Sequence, residues 1–221
     1  MLSKAAEDYL KHIFLLQQQA PDHLVPMGDL SDSVEVVPGT ATSMVKKLSA
    51  AKLVNYEAYS GVKLTAKGKR MALQVLRRHR LVETLLVETF GLDWSEVHDE
   101  AEQLEHTISD RLLERIDVFL GHPTTDPHGD PIPDAQGQLP KSSLRRLSDC
   151  SPGESVTICR IIDQDQDFLR FIDRHGLKPG SRVVIDTIDV AGDSIRVLPG
   201  RKKPLIMGSY AARKLLVEPG V

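Results

Sequence analysis

Val37-Pro38-Gly39-Thr40-Ala41-Thr42-Ser43-Met44-Val45-Lys46-Lys47-Leu48-Ser49-Ala50-Ala51 decides how the first third of the chain is read. Val37-Pro38-Gly39 is a turn, and beyond it Ala41, Met44, Val45 and Leu48 recur at helical spacing, which predicts a helix over residues 40–51. Its other face carries Thr40, Thr42, Ser43, Lys46 and Lys47. N-terminal to the turn, a short helix is expected over residues 27–34. A longer one is expected over residues 3–19, set by Leu10, Ile13, Phe14 and Leu16 and closed by Ala20-Pro21. C-terminal to it, residues 53–59 and 62–64 read as two strands around Ser60-Gly61. Two short helices joined by a tight turn, the second followed by a hairpin, make a winged helix-turn-helix. That arrangement lays the second helix in the major groove of double-stranded DNA. Hydroxyls there meet base edges or phosphates and lysines supply charge to phosphates, while Tyr59 and Lys63 on the hairpin offer backbone contacts. The competing reading is a packing domain with a solvated lysine face.

Charge decides between them. The net charge of −3 conceals a segregation along the 221 residues. Residues 1–80 carry 12 Lys/Arg against 7 Asp/Glu, residues 81–136 carry 2 against 14, and residues 137–221 carry 14 against 10. A basic head followed by an acidic middle suits an anionic partner first and cations second. Hydrophobic and charged fractions of 41% and 27% are those of a globular protein, which sets aside disorder and fibres. Cys150 and Cys159 are too few for a disulfide framework or a four-cysteine zinc site. No apolar run approaches the roughly 20 residues of a membrane span, and the N-terminus lacks an apolar signal core. A cytoplasmic protein without membrane association is expected.

Further along, Thr65 is placed to cap a long helix reaching about Phe90, with Gly91 ending it. Another helix opens at Asp93 or Trp94 and breaks near Ser109 before ending at Leu120. Residues 121–140 are too rich in proline and glycine for regular structure and read as a packed loop or linker. From Gly153 the pattern turns to alternation in five short stretches, around Val156, Val183, Ile195, Leu205 and Leu215, which suggests a small β-barrel. The expected class is mainly α with a small β domain. Residues 1–65 form a winged helix-turn-helix DNA-binding domain, 66–136 a helical dimerisation and metal-binding domain, 137–152 a linker, and 153–221 an SH3-like barrel.

The acidic middle holds the more specific pattern. His79 and Glu83 lie one turn apart on the long helix, and His98, Glu102 and His106 recur every four residues on the next, with Glu105 beside His106. Imidazoles and carboxylates on one stripe, with no lysine opposite, form a metal-ligand pattern rather than a salt-bridge ladder. A catalytic zinc site is the competing reading, and the absence of an H-E-x-x-H string or an accompanying nucleophile motif counts against a metal-dependent hydrolase.

Four strings extend this. Arg77-Arg78-His79-Arg80-Leu81-Val82-Glu83, Val97-His98-Asp99-Glu100-Ala101-Glu102, Leu104-Glu105-His106 with Ser109-Asp110, and Asp126-Pro127-His128-Gly129-Asp130-Pro131-Ile132-Pro133 resemble, in order, the diphtheria toxin repressor family. The resemblance implies a metal-activated homodimeric transcriptional repressor, not an enzyme, which recognises an inverted-repeat operator. It implies an ancillary metal site at His79, Glu83 and His98, and a regulatory site at Glu105 and His106 completed by Glu102 and, aligning through Tyr9, by Asp8. Iron-type members carry methionine and cysteine where this chain has Asp8 and Glu102, as manganese-type members do. Exchanging two soft sulfurs for two hard oxygens suits Mn2+, with Fe2+ as the alternative, and implies control of metal-uptake genes. One departure is Lys11, where some manganese-type members place a further glutamate. The resemblance also lets the barrel contribute a ligand from residues 162–168, and Asp165 is the expected donor. Arg201-Lys202-Lys203 reads as a solvated hairpin tip.

Overall fold

The computed structural model describes residues 2–20, 22–140, 143–200 and 202–220, so Pro21 and Arg201 lie outside the described residues. The chain forms two compact units. The first comprises Met1–His79, Glu105–Ile108 and Pro133–Gln138, and the second Arg80–Leu104, Ser109–Ile132 and Leu139–Val221.

The first unit begins with α1 (Lys4–Gln19), whose N-cap Ser3 accepts a hydrogen bond from the Ala6 amide. Next come α2 (Met27–Ser33), α3 (Pro38–Ala50) and the antiparallel hairpin of β1 (Val54–Glu57) and β2 (Gly61–Leu64). α3 starts two residues earlier than its apolar period predicts, because proline at the first helical turn has no amide to leave unsatisfied. Leu10, Ile13, Leu30, Val45 and Leu48 fill the core. Each such side chain is worth about 1.5–3 kcal/mol when fully buried. Two polar bonds fix α1 to the elements it covers: the His12 Nδ1 lies 2.6 Å from the Ser33 Oγ on α2, and the Leu64 amide on β2 donates to the Gln17 Oε1 at 3.0 Å. α4 (Ala66–Glu88) follows, and the Gly68 amide donates to Thr65 Oγ1, the cap that its sequence predicts.

The second unit takes the C-terminal part of α4, which closes with Leu92 N–H on Leu86 O beside Gly91 at φ +69°. It includes α5 (Val97–Glu105) up to Leu104 and α6 (Asp110–Phe119), capped by Ser109. Its sheet is antiparallel throughout, with β3 (Arg145–Arg146), β4 (Ser155–Ile161), β5 (Arg182–Asp189), β6 (Ser194–Pro199), β7 (Leu205–Gly208) and β8 (Leu215–Pro219) in the order β3-β8-β4-β5-β6-β7. Register shifts at Ile158/Arg160 and Ile185/Thr187 bend the sheet around Ile158, Ile185, Val197 and Val217, all buried. The five alternating stretches are β4 to β8. The alternation did not anticipate β3, which is two residues long, nor the short helix α8 (Ser209–Ala212). It also missed α7 (Gln166–His175), which forms because Leu169 and Ile172 bury one helical stripe and Gly176 ends it in the left-handed conformation.

Candidate metal centres and nucleic-acid interface

Within the first unit the residues expected to meet DNA lie along α3 and the hairpin. Thr40, Ser43, Lys46 and Lys47 are exposed, and Thr42 and Lys63 are half-buried. Thr42 Oγ1 donates to the Pro38 carbonyl at 2.8 Å, so its hydroxyl is already engaged within its own helix. Tyr59 stands fully exposed at the hairpin tip with φ +66°.

The same unit brings Asp8, Glu105 and His106 together, each offering a ligand atom within 4.8 Å of the others. His106 is not a rung of the stripe on α5. The helix ends at Glu105, and His106 lies in the turn that follows, so its imidazole leaves the helix face and turns to α1. Its Nε2 lies 2.7 Å from Asp8 Oδ1 and 3.4 Å from Glu105 Oε1. Its Nδ1 meets Glu7 Oε2 at 2.8 Å, and Glu7 is in turn 3.8 Å from Arg78. Glu7 is a residue that sequence reasoning missed. It does for His106 what an outer carboxylate does for a metal-bound histidine, holding one ring nitrogen so that the other faces the ion.

Glu105 is fully buried and engaged at both oxygens: Lys11 Nζ donates to Oε1 at 2.8 Å, and His79 Nδ1 lies 2.6 Å from Oε2. Burial pushes its carboxyl up, but the hydrogen bonds and charges of His79 and Lys11 outweigh this and hold it below the usual range. Burial pushes the Asp8 carboxyl up as well, and there it prevails over the opposing pull of His106 and Lys11, so Asp8 lies above its usual range. Two carboxylates and an imidazole, with no sulfur among them, fit a divalent ion of the Mn2+ or Fe2+ kind. The chain's two cysteines, Cys150 and Cys159, both belong to the second unit.

The second unit contains a group that the sequence reading did not assemble. Glu83, Asp126 and His128 offer ligand atoms within 4.8 Å of one another, and all three are buried. His128 Nε2 donates to the Trp94 carbonyl, 2.8 Å away, which leaves Nδ1 turned toward the two carboxylates. That nitrogen has no hydrogen-bond partner and lies 4.0 Å from Glu83 Oε2 and 3.9 Å from Asp126 Oδ1. The loop holding them is an Asx turn: Asp126 Oδ1 accepts from the His128 and Asp130 amides at 2.8 and 2.9 Å. Asp130 meets Arg160 at 2.5 Å, and Arg80 lies 3.5 Å from both Asp126 and Asp130. Three carboxylates therefore face two guanidiniums. Burial, then the charges of Asp130 and Glu83, push the Asp126 carboxyl well above its usual range against the pull of Arg80. A divalent cation would relieve this imbalance and satisfy His128 Nδ1 at once.

His98 is an exposed neighbour of this group, with Nδ1 3.4 Å from Glu83 Oε1 and Nε2 3.7 Å from Glu102 Oε1. Asp165 joins none of the metal-capable groups among the described residues. It is the N-cap of α7, accepting from the Phe168 amide at 3.0 Å, and its neighbour Gln164 reaches Asp130 at 2.8 Å. The acidic string was read for its oxygens, whereas the apolar stripe behind it makes those oxygens a helix start.

Comparison with known proteins agrees with this construction. Residues 1–62 match the family described as "Iron dependent repressor, N-terminal DNA binding domain". Residues 65–134 match "Iron dependent repressor, metal binding and dimerisation domain", and residues 145–219 match "FeoA domain". Over 213 residues the chain is 32% identical to the iron-dependent repressor IdeR of Mycobacterium leprae, covering 91% of each protein. It is 31% identical over 196 residues to the diphtheria toxin repressor of Corynebacterium efficiens, covering 83% of this chain and 84% of that one. Among solved structures, a manganese-dependent transcriptional repressor in complex with manganese is 40% identical with a TM-score of 0.86, covering 97% of this chain and 99% of that one. The manganese regulator SloR is 30% identical with a TM-score of 0.78, covering 97% and 98%. No helix among the described residues is long and apolar enough to cross a membrane. A winged helix-turn-helix, a buried oxygen-and-nitrogen donor set and a small antiparallel sheet, each matched by its own domain description, establish that the chain belongs to the iron-dependent repressor family, that of the diphtheria toxin repressor, whose members are metal-dependent transcriptional repressors and not enzymes.

Proposed function

We propose that this chain is a Mn2+-activated repressor that works in the cytoplasm as a homodimer, binds an inverted-repeat operator and controls manganese-uptake genes. The observation that carries the choice of metal is the donor set itself: Asp8, Glu105 and His106 present oxygen and nitrogen only. Hard carboxylates favour Mn2+ over metals that prefer thiolate. In this reading Glu102 adds a further oxygen to the regulatory ion, and His106 is aimed by Glu7. A second ion belongs to Glu83, Asp126 and His128, with His98 beside Glu83. His79 also holds Glu105 in place, beside the ancillary role that the family resemblance implies for it. The manganese-loaded relative supports Mn2+, and the iron-dependent relatives keep Fe2+ as the alternative. Leu112 and Phe119, two turns apart on α6 and 51% and 68% exposed, supply an apolar face of the kind that self-association covers. Thr40, Thr42, Ser43, Lys46 and Lys47 read the groove while Tyr59 and Lys63 touch the backbone.

Gel-shift titration of the protein's own promoter region under anaerobic conditions, with Mn2+, Fe2+, Zn2+ or chelator, tests this reading. Mn2+ is expected to give the tightest complex, and affinity is expected to fall steeply as salt rises, because lysines displace counterions from phosphate. Equal affinity for the promoter and for random DNA, with or without metal, would overturn the reading. A second expectation concerns the donors. Asp8→Met combined with Glu102→Cys should shift activation from Mn2+ toward Fe2+ and softer ions. Identical metal-response curves for parent and variant would show that donor softness does not set the choice.

A further inference from the structure

Trp94 lies in the turn that leads into α5 and is 5% exposed. It belongs to the buried core of the six-stranded sheet, whose other buried members all lie between Leu147 and Val217. Its indole Nε1 is buried with no hydrogen-bond partner among the described residues. A tryptophan that forgoes its polar handle is held for the face of its ring. That face meets His128: the ring centroids lie 5.5 Å apart with the planes at 28°, a stacked pair. The carbonyl of the same residue accepts from His128 Nε2 at 2.8 Å. One residue therefore holds the imidazole by its face and by one edge, with Nδ1 turned toward Glu83 and Asp126. We propose that Trp94 is a positioning residue of the second-unit centre: anchored in the core of the sheet, it sets the plane of His128, so that the sheet's packing governs how tightly Glu83, Asp126 and His128 hold an ion. This rests on the reading of those three residues as a metal centre.

The indole is itself fixed from several directions. Asp93 Oδ1 accepts from the Ser95 amide and hydroxyl at 2.8 and 2.7 Å, an Asx turn that sets the backbone on either side of Trp94. Lys178 Nζ lies 4.9 Å from the ring centroid and 2.9 Å from Asp173 of α7, so a cation held by α7 also covers the indole. Glu96, two residues on, pairs with Arg170 of the same helix. α7 and the core of the sheet thereby decide where the indole stands, and the indole decides where the imidazole stands. No metal-capable group among the described residues includes a residue of 145–219, so this packing is the route by which the sheet reaches the centre. An imidazole held in place before the ion arrives has little rotational freedom left to lose. Removing such support from a metal-binding histidine typically lowers affinity by roughly 10–100-fold.

Mn2+ binding to the full-length protein in a His106→Ala background, counted by electron paramagnetic resonance, isolates the second-unit centre. One ion per chain is expected, and none once His128→Gln is added. No ion in the first protein, or an ion retained in the second, would overturn the reading of the centre and the proposal with it. Given that one ion binds, Trp94→Leu, which refills the core without a flat face, should hold it at least about tenfold more weakly. Trp94→Phe restores a ring and removes the orphaned N–H, and its affinity should stay within about threefold of the parent's. Val197→Ala opens a cavity in the same core on β6, and it should lower the melting temperature while leaving affinity within about threefold. Thermal melts establish that each variant is folded, and if Trp94→Leu is not, Trp94→Met, whose flexible thioether also fills core gaps, takes its place. Parental affinity in folded Trp94→Leu or Trp94→Met overturns the proposal and leaves the metal centre standing. So does an equal loss in Trp94→Phe, which would deny the ring its part, or in Val197→Ala, which would make affinity a mere follower of stability.

Discussion

His106→Ala is expected to leave fold and dimer in place and to lose most of the metal-stimulated DNA affinity. The residue sits in the turn after α5, so removing its side chain breaks no helical hydrogen bond. What disappears is the link from the metal-capable group to α1: Nε2 beside Asp8 and Nδ1 beside Glu7. α1 is itself fastened to α2 through His12 and Ser33 and to β2 through Gln17 and Leu64. An ion that fixes Asp8 against Glu105 and His106 therefore fixes the frame from which α3 and the hairpin are presented to DNA. Without it, burial of the Asp8 carboxyl, and to a lesser degree its repulsion by Glu105, works against the pull of His106 and Lys11, which favours a looser arrangement. Metal and DNA then select one conformer and must raise each other's affinity by the same factor, typically about 5–150-fold. Fluorescence anisotropy with an operator fragment, with and without Mn2+, measures that factor, and sedimentation checks the dimer. A variant whose Mn2+ response equals the parent's would locate the switch elsewhere.

Gly129→Ala should be the most damaging single-methyl change in the second unit. Gly129 has φ +82°, and an added Cβ would lie 1.9 Å from the Cys159 carbonyl oxygen and 2.8 Å from Arg160 Cα. Both neighbours are backbone atoms of β4, where Arg160 pairs with Leu216 of β8, so neither yields readily. The loop must move instead. It is also tied to β4 by the Ile161 amide, which donates to the His128 carbonyl at 2.9 Å. Left-handed strain and overpacking together predict a loss of about 2–4 kcal/mol. The displaced loop carries Asp126, His128 and Asp130, so the proposed second ion should be lost as well. Urea denaturation and a Mn2+ count on the variant check both parts. A variant within about 0.5 kcal/mol of the parent, the range of an ordinary surface change, would show that the loop tolerates the methyl.

The elements that sequence reading recovered are those whose local signals agree. Thr65 caps the helix predicted from it, and Ser3 and Ser109, read from sequence only as a helix start and a break, are hydroxyl caps as well. α7 was missed because Asp163 to Asp167 drew attention as possible ligands, while the stripe behind them, Leu169 and Ile172, was the stronger signal. Asp8, Glu105 and His106 were legible as a set through their likeness to known strings. Periodicity alone would have kept His106 on the stripe of α5, because no pattern of spacings reports where a helix stops and a side chain turns away. Glu7 stayed hidden behind Asp8. Its part emerges only when the imbalance of His106, one nitrogen toward Asp8 and the other needing a partner, is seen in three dimensions. The Asp126–Pro131 loop was recognised as a string, and its acid content was not weighed against the arginines, since Arg80 and Arg160 are remote from it in sequence. Buried charge balance is a property of the folded unit, which alternation and spacing cannot count.

α1 joins two tasks on different turns of one rod. In the proposed function its first two turns present Glu7, Asp8 and Lys11 to the metal-capable group, and its later turns hold the proposed DNA-binding elements through His12 and Gln17. The residues proposed to choose an ion and those proposed to meet an operator consequently share no side chain. After a gene duplication, one copy could change its metal by substitutions near the start of α1 while still recognising the parental promoters, and the other could change promoters while still answering to the same ion. Diversification along either axis needs no compensating change along the other, and a cell can acquire a second metal sensor in a few mutational steps.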